Sequence, residues 1–218
     1  MAALRTIHVV DDDEAVRDSL RTLLESSGLA VHTYPSAALF LEAAPGILGC
    51  VLTDVRMPDM DGLALQRRLN ERGLHLPVIV MTGQGDIAVA VRAMKAGALD
   101  FLEKPFHDDD LLAAVERALA EGERRQAREE ISGEAARRMA ALTAREREVL
   151  DLLVTGLPTK GIANALGASP RTIEVHRARV FEKLHARSLP ELVRLVIAAG
   201  AEGGQGPVRT CHDVSRET

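Results

Sequence analysis

Short apolar runs in the first half of the chain end in residues that can take part in chemistry. Four such residues or pairs stand at, or within one residue of, the end of a run: Asp11-Asp12, Asp54, Thr82 and Lys104. Because the carboxyl ends of parallel strands meet at one edge of a sheet, where ligands bind, we expect these side chains to converge. Three carboxylates, a hydroxyl and an ammonium favour divalent metal binding and phosphoryl chemistry.

The same half of the chain alternates between strand-like and helix-like patterns. The apolar runs are Ile7 to Val10, Leu29 to His32, Cys50 to Thr53, Val78 to Met81 and Ala98 to Leu102. Between the runs, apolar residues recur at helical spacing, and glycines and capping residues separate the segments. Five strand–helix units of this kind predict an α/β fold, a doubly wound five-stranded parallel sheet.

The second half shows helical patterns only. From Leu111 to about Ala141 the chain is rich in Ala, Glu and Arg, which favours a solvated helical linker. Four short helices follow, with capping or starting residues at Thr143, Thr159, Ser169 and Ser188. We therefore predict an α/β domain at residues 1–122, a helical linker at 123–140, an all-α four-helix domain at 141–200 and a disordered tail at 201–218.

Composition and charge narrow the class of protein. No apolar run approaches the roughly 20 residues that span a bilayer, and a signal-peptide layout is absent. Cys50 and Cys211 form neither a metal-ligand spacing nor a disulfide framework, so we expect a cytoplasmic protein with no membrane partner. Residues 1–122 carry 11 Lys/Arg against 19 Asp/Glu, whereas residues 141–200 carry 9 against 6. This asymmetry is consistent with nucleic-acid contact confined to the C-terminal domain.

The acidic residues of the first domain suit a phosphoacceptor site. Mg²⁺ needs only one or two carboxylates beside phosphate oxygens and water, and Asp11 and Asp12 can supply them. Asp54 is then left as a nucleophile that forms an acyl phosphate. Thr82 can hydrogen-bond one phosphoryl oxygen while Lys104 neutralises another.

These residues resemble the receiver domain of two-component response regulators, across residues 5–120. The resemblance rests on Asp11-Asp12, Asp54, Met57-Pro58-Asp59-Met60-Asp61-Gly62, Thr82-Gly83 and Lys104-Pro105. It implies a flavodoxin-like fold, and Mg²⁺ (or Mn²⁺) held by Asp11, Asp12, Asp54 and the backbone carbonyl of Arg56. It also implies a switch pair of Thr82 and Phe101, a cis Lys104-Pro105 bond, and tuning of dephosphorylation by Arg56 and Gln84. Self-phosphorylation and self-dephosphorylation are the only reactions it implies.

Each of these residues has a simpler interpretation when it is considered alone. Asp61 can be a helix cap, Asp13 and Glu14 can favour a helix N-terminus, and Phe101 can be a core aromatic. A phosphatase of the haloacid-dehalogenase type is the alternative from another class, with Asp11 as its nucleophile. Such a phosphatase usually has a Thr two residues beyond the second Asp of its Asp-x-Asp motif, where this chain has Ala15. Asp54 would also have no function in it. Phosphate release that survives Asp54→Asn but not Asp11→Asn would favour this alternative.

The second domain contains a candidate recognition helix from Pro170 to Leu184. If Ile173, Val180 and Leu184 are its buried stripe, Arg171, Val175 and Ala178 point outward, with Glu174 and Arg179 beside them. That face is the candidate for reading base edges in the major groove. Five other polar residues are better placed for phosphates, which set register rather than sequence: Lys160, Thr172, His176, Arg177 and Lys183. Taken singly, Glu174 or Arg179 can equally be a surface ion-pair partner, and His176 a satisfied helix histidine.

This half resembles the LuxR-type four-helix DNA-binding domain from Leu142 to Gly200. The matching segments are Leu142 to Leu150, Lys160 to Ala163 and Arg171 to Arg177. Together with the receiver, the chain looks like the FixJ-type subfamily, particularly through Ser169-Pro170-Arg171-Thr172 and Ser188-Leu189-Pro190.

The resemblance implies phosphorylation-dependent control of transcription. Family receivers dimerise through a surface that maps to about Asp86 to Ala120, with Ala90, Val91, Met94 and Lys95 on it. The implied partners are a sensor histidine kinase, double-stranded DNA with inverted half-sites, RNA polymerase and a second copy of the chain. We expect an activator. A third possibility is that the receiver binds a protein and the C-terminal helices dimerise without DNA, which salt-dependent DNA retention would decide.

Overall fold

A computed structural model describes residues 5–43, 46–83 and 87–200, without the side chain of Ile87. The chain divides into two compact units, Met1–Gln126 and Ala127–Thr218. No helix within the described ranges combines the length and the hydropathy needed to cross a membrane. The predicted disordered tail at residues 201–218 lies outside the described residues.

The first unit is built on a parallel five-stranded sheet in the order β2-β1-β3-β4-β5. Its strands are β1 (Thr6–Val10), β2 (Ala30–Tyr34), β3 (Cys50–Asp54), β4 (Val78–Thr82) and β5 (Asp100–Glu103). The predicted fold class is confirmed. The strand β5 begins two residues later than its apolar run, because Ala98 and Leu99 belong to the turn that enters the strand.

Helices cover both faces of the sheet. They are α1 (Glu14–Ser26), α2 (Ala37–Ala43), α3 (Gly62–Glu71), α4 (Ile87–Lys95) and the first part of α5 (Asp108–Ala140). Successive residues of a strand point to opposite faces, so Ile79 and Met81 pack with α1 and α5, whereas Val78 and Val80 pack with α2, α3 and α4. The three central strands are buried on both sides, as is typical of parallel sheets.

Capping residues set where several helices begin. Asp13 accepts hydrogen bonds from the backbone N–H groups of the first turn of α1, and Asp61 accepts one from Ala64. The interpretation of Asp61 as a helix cap is therefore confirmed. Asp86, where the expected dimer surface begins, lies outside the described residues.

The described part of the second unit, up to Gly200, is helical. The last part of α5 is followed by α6 (Ala144–Val154), α7 (Thr159–Ala165), α8 (Pro170–Lys183) and α9 (Leu189–Gly200). Thr143 forms the capping box that begins α6, and Ser169 caps α8. Residues 123–140, expected as a solvated helical linker, are helical, but Ser132, Ala135 and Met139 are buried.

Candidate functional site

The carboxyl edge of the first sheet brings two carboxylates onto one ammonium. Nζ of Lys104 lies 2.6 Å from Oδ1 of Asp54 and 2.9 Å from Oδ2 of Asp11. Lys104 follows β5, Asp54 ends β3 and Asp11 follows β1, so the carboxyl edge that these parallel strands share brings the three residues together. Burial alone would lower the pKa of Lys104, but its hydrogen bonds with Asp54 and Asp11 outweigh burial and raise the pKa.

Asp54 is held firmly at the end of β3. It is buried, with 9% of its surface exposed, and its Oδ2 accepts a 2.6 Å hydrogen bond from the backbone N–H of Arg56. The following loop passes close by, because Gly62 donates to the carbonyl of Val55 at 3.0 Å. A Cβ at Gly62 would collide with the carbonyl oxygen of Asp54, which explains why glycine begins α3.

The acid pair after β1 splits into a buried and an exposed member. Asp11 is buried, and its Oδ1 accepts a 2.9 Å hydrogen bond from the N–H of Asp13. Arg17, which the sequence did not single out, donates to the carbonyl of Asp11 at 2.8 Å. Asp12 is exposed. The only signal for Arg17 was a basic residue in the second turn of the helix that follows the pair.

The donor set at this edge fits a hard divalent cation. Within the described ranges, no three His, Cys, Asp or Glu side chains are grouped so that they could hold a metal. Mg²⁺ does not require such a group, since it binds through one or two carboxylates plus phosphate oxygens and water. Asp11 and Asp54 converge on the same ammonium, so they present two carboxylates of this kind.

Thr82 and Phe101 border one cavity beside α4. The cavity has a volume of about 330 Å³ and is lined by Thr82, Ala90, Val91, Met94, Lys95, Phe101 and Glu103. The Thr82 side chain is buried, whereas Phe101 is 41% exposed and is not the core aromatic of the simpler interpretation. Of the four expected dimer-surface residues, Val91, Met94 and Lys95 are exposed, but Ala90 is buried at 6%, where it lines this cavity.

Two further predicted features lie at the rim of this edge. The Lys104-Pro105 peptide bond is cis. The guanidinium of Arg56 lies beside Gly83, at the end of β4, and Gln84 lies outside the described residues.

The candidate recognition helix, α8, presents the face that its spacing predicted. Ile173, Val180 and Leu184 are buried. The candidate contact residues that are exposed are Lys160, Arg171, Thr172, Glu174, Val175, Ala178 and Arg179. Within the described ranges, Glu174 and Arg179 form no ion pair, contrary to the simpler interpretation.

Two other candidates on α8 are partly withdrawn from solvent. Arg177 stacks over the ring of Phe181, with its guanidinium carbon 5.7 Å from the ring centroid. His176 is half-buried, and its Nδ1 has no hydrogen-bond partner among the described residues, so it is not the satisfied helix histidine of the alternative interpretation.

Lys183 does not extend toward solvent as a phosphate ligand would. Its Nζ lies 2.7 Å from Oε2 of Glu146 and 3.1 Å from the carbonyl of Ala141. Glu146 is 2% exposed, and hydrogen bonds from Lys183 and Thr143 lower its pKa to about 2. The expected phosphate contact of Lys183 is therefore replaced by an internal ion pair. The sequence indicated Thr143 as a cap, but it gave no sign that Glu146 has a partner 37 residues away.

The chain matches two protein families along its length. Residues 7–116 match the response regulator receiver domain, and residues 140–196 match the bacterial regulatory proteins of the luxR family. The chain belongs to the response regulators that join a receiver domain to a LuxR-type DNA-binding domain.

Within that family the chain is similar to FixJ transcriptional regulators. The Transcriptional regulatory protein FixJ of Azorhizobium caulinodans is 55% identical over 195 residues, which cover 89% of this chain and 92% of that protein. FixJ of Rhizobium meliloti is 48% identical over 203 residues, covering 93% and 98%. Among solved structures, the response regulator StyR has a TM-score of 0.77 at 46% identity, covering 88% of this chain and 98% of that one. Full-length FixJ from B. japonicum has a TM-score of 0.55 at 49% identity, covering 90% and 97%.

Proposed function

We propose that this response regulator is switched by phosphorylation of Asp54 and that the modified protein regulates transcription by binding specific DNA. A receiver domain implies a sensor histidine kinase as partner, and a LuxR-type domain implies DNA as ligand. The observation that carries the proposal is the Asp54 carboxylate, fixed at the carboxyl edge of the sheet 2.6 Å from the Lys104 ammonium.

The chemistry follows from the contacts of Asp54. Its carboxylate oxygen would bond to phosphorus as the P–N bond of a phosphohistidine breaks, with the electron pair leaving on the imidazole nitrogen. Lys104 would then offset the negative charge on the transferred group, and the N–H of Arg56 holds the second carboxylate oxygen in place. Asp11 would position Lys104 through their 2.9 Å contact.

A divalent cation completes this site in the proposal. Asp11 and Asp54 would hold Mg²⁺ (or Mn²⁺), with Asp12 and the carbonyl of Arg56 as further candidate ligands. When bound, the cation would neutralise charge on the phosphoryl oxygens.

The switch is assigned to Thr82 and Phe101. The Thr82 hydroxyl would hydrogen-bond the phosphoryl group, and its movement would open space for Phe101 in the 330 Å³ cavity that both residues line. This shifts an existing equilibrium rather than creating a new state. Burial of Phe101 would change the exposed surface of α4 and β5, through which we propose a phosphorylation-dependent homodimer.

The output is assigned to helix α8. Arg171, Glu174, Val175, Ala178 and Arg179 would read base edges, while Lys160, Thr172, His176 and Arg177 would contact phosphates. A symmetric dimer would recognise inverted half-sites about one helical turn apart. We propose that the bound dimer activates transcription through RNA polymerase, in the cytoplasm, with no membrane partner.

The test is intact mass and DNA binding of the full chain after incubation with acetyl phosphate and Mg²⁺. We expect a mass gain of about 80 Da, for a single phosphoryl group on a carboxylate nucleophile, together with dimer formation and tighter DNA binding. Asp54→Asn should lose all three changes, and Asp59→Asn, which alters an exposed aspartate of the neighbouring loop, should keep them. An affinity for DNA that is the same with and without the phosphoryl group would refute the proposed switch.

A further inference from the structure

Every backbone and side-chain polar group of Asp11 has a partner, and one of these partners is a side chain of α1. The N–H of Asp11 donates to the carbonyl of Tyr34 at 3.2 Å, which extends the pairing of β1 with β2 by one residue. Its two carboxylate oxygens accept from the N–H of Asp13 and from Lys104, both at 2.9 Å. Its carbonyl accepts from the guanidinium of Arg17 at 2.8 Å. Arg17 therefore completes the hydrogen bonds of this buried aspartate.

Arg17 can hold this contact because α1 fixes its backbone. Asp13 caps the helix by accepting from the N–H of Ala15 at 2.8 Å, and the N–H of Arg17 donates to the carbonyl of Asp13 at 3.1 Å. A short loop thus joins the end of β1 to the first turn of α1. No carboxylate within the described ranges pairs with the Arg17 guanidinium, so the carbonyl of Asp11 is the contact that fixes its position.

The contact fixes the peptide unit that joins the two acids of the pair. A peptide unit is planar, so the direction of the Asp11 carbonyl also sets the direction of the Asp12 N–H and the place of the Asp12 Cα. Asp12 is exposed, and its carboxylate makes no hydrogen bond or ion pair within the part of the chain that the structure describes. The position of Asp12 therefore depends on the backbone, and Arg17 is a side chain that holds this part of the backbone.

The charge of Arg17 has the wrong sign for a residue that simply attracts a divalent cation. A guanidinium beside a cation site repels the cation, so the charge alone would weaken binding. Hydrogen bonds from outer groups that orient metal-binding carboxylates strengthen binding. A benefit from Arg17 must therefore come from the orientation of the Asp11-Asp12 pair. The two effects predict opposite results when Arg17 is replaced.

We propose that Arg17 is a positioning residue for the divalent cation site, and that it acts through the carbonyl of Asp11 to hold Asp12 where it can bind the cation. This inference rests on the proposed cation site at Asp11, Asp12 and Asp54. Arg17 itself touches neither the cation nor the phosphoryl group. Its loss should weaken the affinity for Mg²⁺ and leave the rate of phosphorylation at saturating Mg²⁺ unchanged, because the contact between Asp54 and Lys104 stays in place.

The test is a titration of the ¹⁵N-labelled full chain with MgCl₂, in which the NMR shifts of the Asp12 and Asp13 backbone amides report the Kd. Arg17→Met removes the donor and should raise the Kd about 10-fold, the lower end of the usual cost of losing such an outer hydrogen bond. Arg17→Lys keeps a cationic donor and should recover part of the affinity. Arg21→Met removes the same charge one turn further along α1, where Arg21 contacts Thr33 and not the acid pair, and should leave the Kd unchanged.

A second readout is the rate of phosphorylation by acetyl phosphate as the Mg²⁺ concentration is varied. In Arg17→Met the Mg²⁺ concentration that gives half the maximal rate should rise about 10-fold, while the maximal rate stays the same. A maximal rate that falls while this concentration stays constant would assign Arg17 to the chemical step and overturn its positioning function.

The binding data also separate this inference from the cation site on which it rests. No saturable shift in the wild type would overturn the proposed cation site, and this inference with it. Saturable shifts with a Kd that is equal or lower in Arg17→Met would overturn this inference alone, because the acid pair would then bind the cation without the help of Arg17. Equal losses of affinity in Arg17→Met and Arg21→Met would also overturn it, because the contact with the Asp11 carbonyl belongs to Arg17.

Discussion

Both units contain a lysine paired with a buried carboxylate, but we propose a chemical role for only one of the two pairs. In the receiver, Lys104 joins Asp11 and Asp54, which lie 93 and 50 positions away in the sequence. In the DNA-binding unit, Lys183 joins Glu146, which lies 37 positions away. The distances are similar, at 2.6 Å for Asp54 and 2.7 Å for Glu146.

The difference lies in what surrounds each carboxylate. Asp54 ends a strand at the edge where parallel sheets bind ligands, and Lys104 divides its hydrogen bonds between two acids. Glu146 is sealed beneath the start of α6, where the backbone N–H of Thr143 and the ammonium of Lys183 both donate to its Oε2. We infer that the position of an ion pair in the fold, and not the residue types that form it, decides whether it can take part in a reaction.

The largest effect should come from the receiver pair. Lys104→Met removes the cation that offsets charge on the transferred phosphoryl group, and it leaves Asp11 and Asp54 facing each other. We expect the rate of phosphorylation by acetyl phosphate to fall about 10²–10³-fold, the usual cost of losing one such stabilising donor. Lys160→Met makes the same substitution in the other unit and should leave the rate unchanged. An unaltered rate in Lys104→Met would assign the receiver pair a structural function only.

The Lys183–Glu146 pair should contribute to the thermal stability of the DNA-binding unit. Lys183→Met leaves the buried Glu146 carboxylate without its cation, and the DNA-binding unit should melt about 5–10 °C lower. The only tyrosine, Tyr34, lies in the first unit, so melting is best followed by the methyl NMR signals of Ile162 and Ile173. Adding Glu146→Gln to Lys183→Met should recover part of the loss, because the buried charge is gone. Equal midpoints for wild type and Lys183→Met would show that the pair does not support the fold.

A smaller effect is the pH dependence of the stability that Glu146 gives to the DNA-binding unit. Glu146 has a pKa of about 2 in the folded unit against a usual value of 4.5, so the unfolded chain takes up its proton first as pH falls. The stabilisation is complete above pH 4.5 and is lost progressively as pH falls toward about 2. The melting difference between wild type and Glu146→Gln should therefore shrink from about pH 6 to about pH 3. A difference that stays constant over this range would contradict the lowered pKa.

The contact between Asp54 and Lys104 at the carboxyl edge of the receiver sheet could be predicted from the sequence, whereas the contact between Lys183 and Glu146 could not. Asp54 and Lys104 could be placed together because each follows an apolar run, and parallel strands share one edge. Lys183 could be placed on a helix, but its partner depends on how α6 packs against α8. Arg17 was overlooked, because its side chain crosses from α1 to a backbone carbonyl of the loop after β1. Periodicity identifies the faces of a helix, but which backbone group a long side chain reaches depends on the three-dimensional packing.

The smallest effect, a change in salt dependence, separates the two lysines of the DNA-binding unit. Each phosphate contact contributes about 0.9 to the slope of log K against log salt concentration. The ammonium of Lys160 lies on an exposed side chain, whereas that of Lys183 contacts Glu146 and Ala141. Lys160→Met should therefore lower the slope by about 1, while Lys183→Met should weaken binding equally at every salt concentration. If Lys183→Met also lowers the slope, the Lys183 ammonium contacts the DNA backbone, and the Lys183–Glu146 ion pair must then break when the protein binds DNA.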